Sequence, residues 1–320
     1  MRRLDDIRKV AVLGSGMMGT GCAMVFAGAG YDVVLYDVVP EALAKVAQNM
    51  RSDLTFLAER GLGRLEDVQP TLDRVSTTLV MEDAVADADF VLEAVIEDMT
   101  LKQDIFRNLD QMCGPEAVLA TNTSVMSPTE IAGKAQRRDR IVGTHWWNPP
   151  FLIPLVEVVQ TEETAPWVIE LTMDLHRAIG KHPVHARKDV PGFIANRLQH
   201  ALWREAVSIV EHGIADAATV DESLKYGPGL RLPVLAPLEN ADLVGLDLVL
   251  AIHDYVFPHL EDRHDASPLV RERVDAGELG FKSGGAGLQT WTTEEQKELR
   301  SGLLDYLCKA VQDLKERENR

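Results

Sequence analysis

Brief apolar runs punctuate the first part of the chain and are separated by longer stretches with helical spacing. Val10-Ala11-Val12-Leu13 is too short and too rich in strand-favouring residues for a helix, and Val33-Val34-Leu35-Tyr36, Asp89 to Val95, Ala117 to Ala120 and Ile141 to His145 follow the same pattern. Such runs predict strands buried on both faces. Between them the spacing predicts a helix starting near Met17 and ending at Gly30, and another from Pro40 to Arg60. The latter has Pro40 in its first turn and Leu43, Val46, Met50, Leu54 and Leu57 on one face, and a loop follows it. Val156 to Val159 and Pro183 to Ala186 complete the strands. This alternation predicts an α/β Rossmann-type doubly wound, mainly parallel sheet with helices on both faces.

From about Val190 the strand-like runs stop. Pro191-Gly192 marks a hinge, and Phe193 to His212 repeats apolar residues at Ile194, Leu198, Ala201, Leu202, Ala206, Ile209 and Val210, enough for one long helix. A last helix starts at Thr292, where Thr292 and Glu295 form a capping box ahead of the stripe Leu299, Leu303, Tyr306, Leu307 and Leu314. The expected division is a dinucleotide-binding domain over 1–188 and a mostly α-helical domain over 189–320.

The junction after the first strand carries the sharpest chemical signal. Gly14-Ser15-Gly16-Met17-Met18-Gly19 places glycines where the strand must turn into a helix: Gly14 for the tight turn, Gly16 for close approach of backbone to a pyrophosphate, Gly19 for packing of helix on sheet. Phosphates would rest on the helix N-terminus, where free N–H groups and the positive dipole end favour an anion. Asp37 closes the second strand, where a carboxylate accepts hydrogen bonds from ribose hydroxyls and repels a 2′-phosphate. NAD is therefore expected over NADP.

Composition narrows the partners. At 320 residues and 46 % apolar content the chain can form two globular cores. A formal charge of −17 opposes binding to nucleic acid or an anionic membrane. No apolar run reaches the ~20 residues of a membrane span, and the N-terminal residues lack the apolar block of a secretory signal, so a cytoplasmic location is expected. Cys22, Cys113 and Cys308 lie far apart with no C-x-x-C spacing, which suggests reduced thiols and no metal site.

Oxidation of an alcohol needs a base for the hydroxyl proton, and histidine titrates in the right range. His145 ends a predicted strand, where open α/β folds place their ligands. An imidazole base needs its tautomer fixed, usually by a carboxylate. Glu157 is the candidate, lying inside the apolar run Leu155-Val156-Glu157-Val158-Val159; its other reading is an outward residue on an edge strand. Ser124 follows another strand end and is suited either to donate to a substrate oxygen or to cap a helix. Asn196, after Pro191-Gly192-Phe193, offers a second polar contact.

Together the glycine turn, Thr121-Asn122-Thr123-Ser124, His145-Trp146-Trp147-Asn148-Pro149, Leu155-Val156-Glu157-Val158 and Asp189-Val190-Pro191-Gly192-Phe193-Ile194-Ala195-Asn196-Arg197 resemble the L-3-hydroxyacyl-CoA dehydrogenase family over most of the chain. The resemblance implies NAD-linked oxidation of a 3-hydroxy group, on a 3-hydroxybutyryl-CoA-like substrate, to a 3-keto group. His145 would be the base, Glu157 its orienting partner, Ser124, Asn148 and Asn196 substrate contacts, and Glu97 and Lys102 contacts to the nicotinamide half of NAD. A homodimer through the helical domain is implied as well.

The chain also departs from that pattern. Where acyl-CoA members carry a serine and a lysine cluster after Asp37, it has Asp53 and only Arg60 nearby, and its Gly227 to Glu239 loop is similar to the gulonate 3-dehydrogenase (lambda-crystallin) and carnitine dehydrogenase branch. Arg231 in that loop suits a bidentate grip on a free carboxylate, or is a surface arginine. Gly287-Leu288-Gln289 replaces the usual glycine-phenylalanine-tyrosine. The alternatives are a dehydrogenase of a free 3-hydroxy acid held by Arg231, and a non-catalytic NAD-binding protein.

Overall fold

A computed structural model describes residues 2–318. They form two compact units, the chain up to Asn196 together with residues from Leu304 onward, and Arg197–Leu303.

The first unit is built on one sheet with eight strands among the described residues: β1 (Lys9–Leu13), β2 (Asp32–Tyr36), β3 (Val75–Thr78), β4 (Phe90–Glu93), β5 (Val118–Thr121), β6 (Ile141–Trp146), β7 (Leu155–Val159) and β8 (His182–Ala186). The spatial order is β3-β2-β1-β4-β5-β6-β7-β8. Every pairing is parallel except that of β6 with β7. After β1 the chain goes to β2 on one side, and β4 lies on the other. The carboxyl ends of β1 and β4 therefore border the crevice where doubly wound sheets bind ligands.

Strand alternation sorts the core into two layers. Val10 and Val12 of β1 pack with Phe26, Met50, Phe90, Leu92, Trp146 and Leu175 on one face. Ala11 and Leu13 point the other way, to Val91, Phe106, Leu109 and Ile131. Because both faces are covered, β1, β4 and β5 read as apolar runs up to Leu13, Leu92 and Ala120, while β6 and β7 bury Thr144, His145 and Glu157 among their apolar residues. Removing one large side chain from such a layer, as in Phe26→Ala, costs about 3–5 kcal/mol.

Three elements differ from the sequence reading. The stretch from Pro40 is two helices, Pro40–Leu43 and Val46–Glu59, because the Lys45 N–H bonds Ala42 O three residues back and tightens the turn. The loop expected after it contains the short helices Val68–Asp73 and Met81–Val85 and, between them, β3, an edge strand of Val, Ser and Thr without a buried residue, so no apolar run announced the strand. The first helix ends at Gly28, and Gly30, at φ +99°, turns the chain into β2.

The thiols of Cys22, Cys113 and Cys308 are free and buried. Burial pushes Cys22 up to about 12 and Cys113 up to about 11. No helix among the described residues is long and apolar enough to cross a membrane, and none of their His, Cys, Asp and Glu side chains cluster in threes able to hold a metal ion.

The second unit is helical: it holds most of the long helix Ala195–Glu211, expected over Phe193 to His212, together with Ala217–Tyr226, Pro237–Val244, Leu246–Val256 and Pro268–Asp275. The last helix, Thr293–Glu318, opens with the expected capping box: Glu295 N–H donates to Thr292 Oγ1 at 3.2 Å and Thr292 N–H to Glu295 Oε2 at 2.8 Å. Its final turns belong to the first unit, where Asp305 accepts from Arg60 Nη2 at 3.0 Å and Gln312 donates to Arg60 O at 2.6 Å.

Candidate active site

The turn after β1 has the conformation a dinucleotide requires. Gly14 sits at φ +100°, and a Cβ there would lie 2.6 Å from Ala94 O. A Cβ on Gly19 would meet Gly14 O at 1.8 Å, so the helix Met17–Gly28 reaches the sheet only because Gly19 has no side chain. Gly16 caps that helix and faces open space, with nothing within 4 Å of an added Cβ. This leaves room for a phosphate beside the free N–H groups of Met17 and Met18 in the first turn.

Asp37, just past β2, is tied to the same turn. Its Oδ2 accepts from Ser15 N–H and Oγ–H, both at 2.7 Å, and its Oδ1 from Val39 N–H at 3.0 Å. Burial pulls its pKa upward, but the Ser15 and Val39 bonds outweigh this and hold it below the usual carboxylate value. An ionised acid beside the open glycine turn fits the adenosine end of NAD.

The antiparallel register of β6 and β7 sets His145 directly opposite Glu157. His145 Nδ1 lies 2.8 Å from Glu157 Oε2. Glu157 is fully buried, with β8 pairing beyond it, so the edge-strand reading of this residue is removed. Its Oε2 also accepts from Trp147 Nε1 at 3.3 Å, and its Oε1 from Ile194 N–H at 2.8 Å and Ala195 N–H at 3.0 Å. Burial raises the Glu157 pKa, yet the His145 bond and the two amides bring it below its ordinary value.

A carboxylate acceptor on Nδ1 favours the proton on that nitrogen, so that in the neutral ring the lone pair lies on Nε2. The imidazole is flanked by Trp147 and Phe193, with ring centroids at 5.4 and 5.6 Å. Phe193 adopts φ +49°, a conformation non-glycine residues rarely take. Its buried ring and the two amides that follow it hold it there.

A second group gathers at the ends of β4 and β5. Lys102, almost wholly buried, donates to Glu93 Oε1 at 2.6 Å and lies 3.5 Å from Glu97 Oε2. Glu93 also accepts from Val95 N–H at 2.8 Å and from Thr121 Oγ1 at 2.7 Å. Glu97 accepts from Thr123 Oγ1 at 2.9 Å and from Ser124 N–H at 2.7 Å. Asn196 Nδ2 donates to Ser124 O at 2.9 Å. Since Asn196 follows Ala195, whose amide binds Glu157, one chain of contacts joins Lys102, Glu97, Ser124, Asn196, Glu157 and His145.

The remaining sequence candidates stand outside that chain. Asn148 is exposed and precedes a cis peptide bond to Pro149. Arg231 is exposed in the second unit, at the end of the short helix Pro228–Arg231. Sequence reading passed over Glu93, Thr121, Thr123, Trp147 and Phe193. Glu93 carried the same signal as Glu157, an acid in an apolar run; the indole N–H of Trp147 and the left-handed Phe193 carried none.

This arrangement defines a nicotinamide dinucleotide-binding oxidoreductase. Residues 9–190 match the family model of the 3-hydroxyacyl-CoA dehydrogenase NAD binding domain, and residues 192–290 that of the C-terminal domain. The chain is 38 % identical over 297 residues to 5-formyl-3-hydroxy-2-methylpyridine 4-carboxylate 5-dehydrogenase of Mesorhizobium japonicum, covering 92 % of this chain and 94 % of that protein. It is 37 % identical over 276 residues to 3-hydroxybutyryl-CoA dehydrogenase of Clostridioides difficile, covering 86 % and 96 %. A crystal structure of 5-formyl-3-hydroxy-2-methylpyridine 4-carboxylic acid 5-dehydrogenase, described as an NAD+-dependent dismutase, superposes with a TM-score of 0.87 at 36 % identity and covers 98 % of this chain and 99 % of that one. The protein belongs to the 3-hydroxyacyl-CoA dehydrogenase family and is an NAD-dependent oxidoreductase.

Proposed function

We propose that the protein oxidises the 3-hydroxy group of an L-3-hydroxyacyl substrate, 3-hydroxybutyryl-CoA-like, to a ketone, with His145 as general base. The observation that carries this reading is the 2.8 Å contact between His145 Nδ1 and the buried Glu157 carboxylate. It fixes the tautomer whose Nε2 takes the hydroxyl proton, and Glu157 then stabilises the imidazolium. NAD, when bound, accepts the hydride from the carbon bearing that hydroxyl. Ser124, Asn148 and Asn196 would orient the substrate oxygen, and Glu97 and Lys102 would line the nicotinamide end.

The test is His145→Gln, assayed by NADH formation and by NAD binding. The rate is expected to fall by about 10³-fold, with NAD affinity kept; a variant that turns over like the parent removes the base.

A second reading, a free hydroxy acid held by Arg231, is favoured by a specific observation. Arg60, the basic residue near Asp53, is bonded to Asp305 and stacked 3.8 Å over the Phe56 ring, so it is occupied rather than open to a nucleotide phosphate. The Mesorhizobium relative is likewise named for a free carboxylate. Parallel assays with L-3-hydroxybutyryl-CoA and with L-gulonate or L-carnitine decide between them, since the substrate class without turnover is eliminated.

We also infer that residues 1–188 bind NAD and that 189–320 complete the substrate site and form a homodimer. Support for the dimer is the exposed apolar surface of Leu246–Val256, where Leu246, Leu248, Leu250 and Tyr255 are each more than half exposed.

A further inference from the structure

The two oxygens of Glu157 carry different loads. Oε1 is held by the consecutive amides of Ile194 and Ala195, fixed donors of the backbone. Oε2 is shared between His145 Nδ1 at 2.8 Å and the indole N–H of Trp147 at 3.3 Å. The same indole lies against the imidazole at 5.4 Å, tilted by 52°, while the Phe193 ring flanks it at 5.6 Å. Trp147 thus touches both members of the pair. Indole N–H is a donor only and does not titrate, so its effect on the carboxylate is the same at every working pH.

Resting on the reading of His145 as the base, we propose that Trp147 is a positioning residue: its ring fixes the plane of the imidazole, and its N–H shares the carboxylate oxygen that holds Nδ1. The second action has a direction. Each donor on a carboxylate oxygen spreads its charge, so an oxygen that also serves Trp147 pulls less strongly on the imidazole N–H. The imidazolium is therefore stabilised less by that oxygen than it would be without the indole N–H. Besides the indole, the ring contacts found among the described residues are with the Glu157 carboxylate and the uncharged Phe193 ring.

Trp147→Phe keeps an aromatic ring and deletes the N–H; Trp147→Leu deletes both. The readout is the proton–carbon NMR signal of the His145 ring in the free protein, assigned by its loss in His145→Gln and followed against pH. In Trp147→Phe the titration midpoint is expected to rise by roughly half a unit, the size of one long hydrogen bond to an ionised group. Trp147→Leu should show the same rise with a broadened signal, because the ring is no longer held. A residue that only fills space would leave the Phe variant titrating like the parent, and that result overturns the proposal. If Trp147→Phe does not fold, Trp147→Met makes the same deletion without bringing in another donor. Should His145→Gln retain turnover, the base assignment fails; should it lose turnover while Trp147→Phe titrates like the parent, only the role of Trp147 fails.

Discussion

The sheet unit and the unit from 197 to 303 contain similar apolar residues and place them differently. In the first, β1 and its neighbours send alternate side chains into two closed layers. In the second, not one apolar side chain is buried among the described residues, and Leu230, Leu238, Leu243, Tyr226 and Tyr255 are each more than two thirds exposed. One region has finished its core and can hold side chains to the tolerance that proton transfer demands. The other leaves large apolar side chains exposed, which is the surface on which the proposed assembly rests.

The sharpest way to break this contrast is to charge the exposed helix. With Leu246→Asp and Leu250→Asp combined, a dimer is expected to become a monomer in light scattering, with NAD affinity kept. A parent chain already monomeric at micromolar concentration would remove the assembly explanation altogether.

The closed core predicts an acid sensitivity of its own. His176 is fully buried against Phe26, Phe90 and Trp146, and burial moves its pKa from 6.5 down to about 4. The fold thus favours the neutral ring. The stabilisation is full above the unfolded value and is lost as pH falls from about 6.5 towards 4, for a total of about 3 kcal/mol. Denaturant unfolding at pH 7 and at pH 4.5 should show that loss, and His176→Leu should reduce it. An equal pH dependence in both proteins would place the sensitivity elsewhere.

A smaller effect is expected at the glycine turn. Gly19→Ala forces the helix off Gly14 O, and overpacking of this kind costs about 2 kcal/mol of stability; if seating the pyrophosphate requires the turn to be pushed back, the same energy is roughly 30-fold in NAD affinity by calorimetry. Unchanged affinity would mean that the turn does not set the phosphate position.

What could be read from the sequence follows the same division. Strands buried on both faces announce themselves as apolar runs, and the glycine turn, Asp37, His145 and Glu157 each stood where one residue type was needed for a stated reason. The half-exposed β3 had no run to show, and the break at Ala44–Lys45 involves no glycine or proline. Glu93 was legible and passed over, an acid in an apolar run with Lys102 one helix away. Trp147 and Phe193 were not legible, since an indole N–H finds its acceptor only once β7 lies beside β6, and a positive φ at phenylalanine is imposed by its surroundings.

The burial of all three thiols has a practical consequence. Cys22, Cys113 and Cys308 are each at most 5 % exposed, so maleimides and mild oxidants should find little to react with in the native protein. The natural chain already serves as a silent background for site-directed labelling. A cysteine introduced at an exposed position such as Val190 or Ile214 would become a reactive handle, allowing fluorescent reporters to follow cofactor loading without first removing the protein's own thiols.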